Sequence, residues 1–266
     1  MVRLFVTAAL AFATILRADE QPLPLTTALQ EKRITLSASG NGRDTLHLQL
    51  TAPAKLRIEI PAGAQFRSEQ GGTQVTLRSV VVEPGAGGDV DAIIPAAALS
   101  SANTLAEREV RFTGVADPKL GKLVELFSQQ NDLPRPTAQL ALFILLEDFT
   151  WPQWKKWLEV AWSREKPAKP HPTPAEIAQA VDAIAFARLA SPTAKFAILA
   201  DDDLKRLALR NPWARGKAMA LYGMTVEDAI TGDSSLPVDL GKLLHMSPND
   251  NCPICRQRNK GPAEIP

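Results

Sequence analysis

The two cysteines of this chain, Cys252 and Cys255, flank Pro-Ile near the C-terminus. Thiols three positions apart can close a small ring, bind a soft metal, or exchange disulfides when the first thiolate sits at a helix N-terminus. The flanking sequence favours the first. No strand precedes the pair, and no helix long enough for a thioredoxin-like fold follows, so a passive local disulfide is expected. A metal site would recruit His245 as a third ligand. A closed zinc site takes four ligands, normally as two separated pairs, and no second CxxC is present. Covalent haem is excluded, because Arg256 stands where CxxCH requires histidine.

The tryptophans are the second candidate. Trp151, Trp154 and Trp157 recur every three residues, and Trp162 lies four beyond Leu158, with Lys155 and Lys156 among them. On a helix this spacing makes a broad aromatic stripe. Exposed, it would stack on sugar rings or dock on a partner protein. Turned inward, it would pack against the rest of the chain, which is the commoner use of tryptophan at helical spacing.

Signals for catalysis are weak. The three histidines, His47, His171 and His245, are scattered, and no Gly-x-Ser-x-Gly elbow or phosphate loop is present. The run Asp201-Asp-Asp203 suits the N-terminus of a helix, where carboxylates meet the positive end of the dipole. Glu147 and Asp148 are adjacent, and adjacent helical residues do not face each other, so they make no acid/base pair. No catalytic residue and no cofactor are expected. With 30 basic and 29 acidic residues in 266, the net charge is +1 and no basic stripe occurs, which argues against nucleic acid as a partner.

Residues 1–18 have the form of a secretory signal peptide. Arg3 supplies a positive start, residues 4–16 are apolar, and Ala18 offers a small residue before a cut, with Asp19 and Glu20 after it. A membrane-spanning helix needs about 20 apolar residues, so stable insertion is not expected once that segment is removed. Export to the periplasm or the medium follows.

Between residues 19 and 30 the chain reads as an extended leader containing Pro22 and Pro24. Beyond it, apolar residues alternate with polar ones at Ile34/Leu36/Ala38, Leu46/Leu48/Leu50 and Leu56/Ile58/Ile60. Further runs fall at Val75/Leu77, Val80-Val-Val82, Val90/Ala92/Ile94 and Val110/Phe112. Gly40-Asn-Gly42 and Gly71-Gly72 supply turns between them. Six or seven short strands at this spacing predict an antiparallel β-sandwich over residues 25–115. Helical signals then take over through residue 232. Asp117-Pro118, Thr150-x-x-Gln153, Thr173-x-x-Glu176, Asn211-Pro212 and Thr225-x-x-Asp228 all read as helix starts. A proline-rich linker occupies residues 163–174, and a polar tail with the CxxC occupies 233–266. Residues 137–162 form the most apolar run after the N-terminus and hold four of the five tryptophans, so both halves should pack on them.

Within the strand segment, Ile60-Pro-Ala-Gly63 with Phe66, Gln74, Val80-Val-Val82, Pro84-Gly85 and Ile94-Pro-Ala96 make a pattern. Gln139-Leu-Ala-Leu-Phe143 extends it as Gln-x-Ala-x-aromatic. Over residues 24–150 the chain thereby resembles an N-terminal module of exported bacterial proteins without an assigned activity. Two positions depart from that pattern: no cysteine stands near Ala97, and Phe143 replaces a tryptophan. The resemblance implies an extracytoplasmic β-sandwich with helices, and implies no reaction.

The expectation is an α+β protein, an antiparallel β-sandwich followed by an α-helical domain. It would act as an exported, non-enzymatic binding or structural module for a protein, a cell-envelope component or a glycan. Its alternative is a thiol/disulfide or metal-dependent protein acting through Cys252 and Cys255.

Overall fold

The computed structural model describes residues 21–102, 107–130, 132–162, 172–214 and 225–231, without the side chains of 119, 161 and 162. The chain is α+β, and among the described residues ten short strands precede the main helices. Strands β2 (Thr35–Gly40) and β3 (Thr45–Thr51) pair antiparallel as neighbours in sequence, and β3 pairs antiparallel with the distant β8 (Asp89–Ala98). β5 (Ala64–Arg67) and β6 (Thr73–Thr76) continue the sheet from the other side of β8. A second, three-stranded sheet holds β1 (Leu23–Pro24), β4 (Ile58–Ile60) and β7 (Val80–Val82).

In place of the expected sandwich, the larger sheet curls into a nearly closed barrel. One stretch of chain causes this. β9 (Arg108–Glu109) pairs with β2, and β10 (Arg111–Val115) pairs with β5. Only Val110 separates the two, and its amide donates to the Ala38 carbonyl at 2.9 Å. A single segment thus satisfies both edges of the sheet, which two facing sheets would leave open. The period-2 pattern supplies the interior: Leu46, Leu48, Leu50, Phe66, Ile94 and Ala96 are all buried in one cluster. Phe66 and Phe112 meet across β5 and β10 with ring centroids 5.6 Å apart.

The leader is not extended throughout. After Pro24 the chain forms α1 (Leu25–Gln30), whose Leu25 and Ala28 are buried in the barrel core. β5, which follows the Pro61-Ala-Gly63 turn, also lacks a place among the expected strands.

The helices are α2 (Pro118–Ser128), α3 (Arg135–Glu147), α4 (Trp151–Trp162), α5 (Pro174–Ala190), α6 (Asp202–Arg210) and α7 (Val226–Thr231). Their starts obey local capping chemistry. Asp117 accepts from the Leu120 amide at 3.0 Å. Thr150 with Gln153, Thr173 with Glu176, and Thr225 with Asp228 form reciprocal boxes. Asp201 caps α6 through the Leu204 amide at 2.9 Å. α3 and α5 are apolar on nearly every side and pack against each other at the centre of the helical layer, as all-round apolar helices must. Val75, Leu77 and Ala97, from the β6 and β8 region, belong to this helical core rather than to the barrel interior. Among the described residues, no helix is long and apolar enough to cross a membrane.

Candidate functional site

The residues singled out in the sequence do not come together. Cys252, Cys255 and His245, the tail that carries them, the signal-like segment and most of the proline-rich linker lie outside the described residues, as does the Trp162 side chain. Trp151 and Trp154 are buried in the helical core. Trp157 stacks on Trp154, with centroids 5.0 Å apart and planes 10° from parallel, and meets Phe143 edge-on at 5.5 Å. This part of the stripe therefore packs inward. Among the described tryptophan side chains the exposed one is Trp213, 62% accessible, beside the Asn211 cap. Glu147 and Asp148 both accept from backbone amides, of Ser101 and Ala197 respectively. Among the described residues no three His, Cys, Asp or Glu side chains gather as a metal site would require.

A cleft of about 310 Å³ lies elsewhere, at one end of the barrel. Gly40 and Gly42 come from the β2–β3 turn, Ser68 and Gln70-Gly-Gly72 from the β5–β6 turn, and Gln74 from β6. Ser100 and Ala102 follow β8, and Arg108 and Val110 belong to the closing segment. Local chemistry shapes each wall. Asn41 Oδ1 accepts from the amides of Arg43, Asp44 and Thr45 at 2.9, 2.9 and 3.1 Å, which winds the first turn tightly. Gly42 at φ 71° and Gly71 at φ 101° take backbone conformations that side chains resist. Ser68 closes the second turn: its amide donates to the Gly72 carbonyl at 2.7 Å, and its Oγ accepts from the Gln70 amide at 3.2 Å.

Gln74 ties the turns together. Its Nε2 donates to the Thr45 carbonyl and its Oε1 accepts from the Gly42 amide, both at 3.3 Å. The amide group crosses directly over Gly40, where an added Cβ would fall 1.9 Å from Gln74 Oε1. A side chain at position 40 would have to displace the Gln74 amide.

Helix α3 braces the walls from outside. Arg135 Nη1 pairs with Asp44 Oδ2 at 2.9 Å, holding the first turn. Gln139, buried, exchanges two hydrogen bonds with the backbone of Ala98: the Ala98 amide donates to Oε1 at 2.9 Å, and Nε2 donates to the Ala98 carbonyl at 2.7 Å. One helix thus fixes the positions of two segments that form the cleft.

The polar groups in the cleft are biased toward donation. Arg108 is half-buried and makes no ion pair or side-chain hydrogen bond among the described residues. Ser68 Oγ and Ser100 Oγ each accept from a nearby amide, which leaves their hydroxyl protons uncommitted among the described residues. Among the described residues no Asp or Glu lines the cleft. Sequence reasoning saw the glycines as turns but had no signal for Arg108, because only barrel closure brings it into the same lining as Ser68. Comparison with protein-family models, curated proteins and solved structures finds no match.

Proposed function

We propose that this protein is an exported, non-enzymatic recognition module, and that the barrel-end cleft receives a polar group of a glycan or other cell-envelope component. The cleft carries the reading: a concave site with convergent polar groups on rigid turns, braced by a helix, is how a binding site is built. Among the described residues no His, Asp or Glu stands with the two serines in the lining, which supports recognition over nucleophilic chemistry, since a serine needs an adjacent base to attack. Export rests on the form of residues 1–18 and on the resemblance described above.

A binding assay with immobilised protein and fractionated envelope polysaccharide tests this. Ala102→Trp places an indole in the cleft from an exposed wall position. Retention by the parent protein and its loss in Ala102→Trp, with an unchanged melting temperature, is the expected result. Equal retention by both would remove the cleft from the account.

A further inference from the structure

We propose that the group held in the cleft is a carboxylate on a hydroxylated, sugar-like body, a hexuronic acid being the simplest example. The inference rests on the cleft being the recognition site and names what that site selects.

Charge is the first reason. Arg108 is the charged residue of the lining and has no carboxylate partner among the described residues. A guanidinium offers a planar pair of N–H donors that matches the two oxygens of a carboxylate. A single cation suits a monoanion, whereas a dianionic phosphate would leave one charge uncompensated.

Hydrogen-bond direction is the second. The Ser68 and Ser100 hydroxyls each accept one bond, from the Gln70 and Ala102 amides, and each keeps its O–H proton to donate to a ligand. Three donor groups around one small space call for a ligand rich in acceptors. A carboxylate meets that need, and ring hydroxyls meet it again.

The remaining lining narrows the ligand body. Val110 and Ala102 are its apolar residues, against four glycines and four polar neutral side chains, so an apolar acid would desolvate polar groups without return. Among the described residues no aromatic ring lines the cleft, so none of them offers a stacking platform for a neutral sugar face. A free amino acid fits poorly as well, because its ammonium would find no carboxylate in the lining. The volume, about 310 Å³, is that of a site for one small unit rather than an oligomer groove.

The experiment is a titration of the ¹⁵N-labelled protein with three probes: glucuronic acid, its neutral primary amide, and glucose. The backbone amides of Gly42, Gly71 and Gly72 are the reporters. The acid is expected to move them saturably, and to bind about tenfold or more tighter than either neutral probe. Its binding should weaken as ionic strength rises, because the contact is charge-assisted. Arg108→Gln should remove the preference for the acid while leaving the spectrum folded, and Arg108→Lys should keep part of it. Ala102→Trp should abolish the shifts for all probes.

Equal binding of acid and amide, unchanged in Arg108→Gln and blocked by Ala102→Trp, would overturn the carboxylate assignment and keep the cleft as the site. Shifts that survive Ala102→Trp would overturn both. No movement with any probe overturns the carboxylate assignment, and the polysaccharide assay then judges the cleft separately.

Discussion

Two single residues show how differently polar and apolar surfaces are handled in this molecule. Trp154 is buried, stacked on Trp157 and surrounded by the helical core, yet its indole N–H finds no acceptor among the described residues. Such a residue is held for its volume and not for its hydrogen bond. Trp154→Ala is therefore expected to lower unfolding free energy by about 3–5 kcal/mol in a denaturant titration, the usual cost of emptying so large a site. Were Trp154 a recognition residue instead, binding would fall while stability stayed level. At Gly40 the constraint is steric. An Ala side chain there would drive Gln74 off the Gly42 amide and the Thr45 carbonyl. Gly40→Ala should cost about 1–3 kcal/mol by overpacking. The amide resonances of the β2–β3 turn should shift far more than those of the helical layer. Unchanged turn resonances would mean that Gln74 has room to move.

At the scale of elements, α3 is the part that joins site to scaffold. Its Gln139 satisfies both backbone groups of Ala98, where β8 has passed the end of β3 but still pairs with β6. Removing that side chain strands an N–H and a C=O in a dry interface, at about 1–3 kcal/mol for each orphaned group. Gln139→Ala should accordingly lose stability by a few times the cost of a surface substitution, and amide exchange should accelerate first at residues 98–102. Uniform exchange across the barrel would contradict the bracing role. A second joint is electrostatic and links α4 to α6. Asp203 takes hydrogen bonds from Arg206 at 2.7 Å and Lys155 at 3.3 Å. The Arg206 guanidinium, ahead of the smaller opposing effect of burial, holds its carboxyl below the usual value of 3.8, with Lys155 adding to the pull. The Trp151 indole N–H lies toward the same carboxylate but outside hydrogen-bond geometry, so it contributes attraction without a full bond. A carboxyl whose folded pKa is depressed supplies stability that is present above the unfolded value and lost as pH falls through the folded one. Melting temperature measured from pH 6 downward should therefore decline below about pH 4, and Asp203→Asn should flatten part of that decline. Because the Asp203 and Lys155 side chains are partly exposed, the effect should shrink in high salt. An acid limb identical in both proteins would remove Asp203 from it.

For the whole molecule, the question is which features the linear pattern can encode. Helix starts were legible because a cap is a local bargain: Thr173 and Glu176, or Thr225 and Asp228, satisfy each other within one turn. Strand alternation was legible for the same reason, down to Leu46, Leu48 and Leu50 facing inward. Barrel closure was not. It depends on one segment, residues 108–115, reaching two strands some 70 and 45 residues away, and nothing in its own composition reports that. The cleft inherits the same invisibility, since Arg108 joins Ser68 and Gly72 in one lining only once the barrel has closed. The division between strands and helices is equally deceptive as a boundary of folding. Val75, Leu77 and Ala97 lie in the strand segment but pack into the helical core, and Ala98 completes its hydrogen bonds on α3. A fragment of residues 21–116 would expose those side chains to water and leave the Ala98 backbone unpaired. The whole chain is expected to unfold in one calorimetric transition, with calorimetric and van't Hoff enthalpies equal for that step. The fragment should bind a hydrophobic dye and melt without a cooperative transition. Two separate transitions in the whole chain, the first matching a well-folded fragment, would mean that the barrel stands alone and that α3 merely leans on the site it was argued to hold.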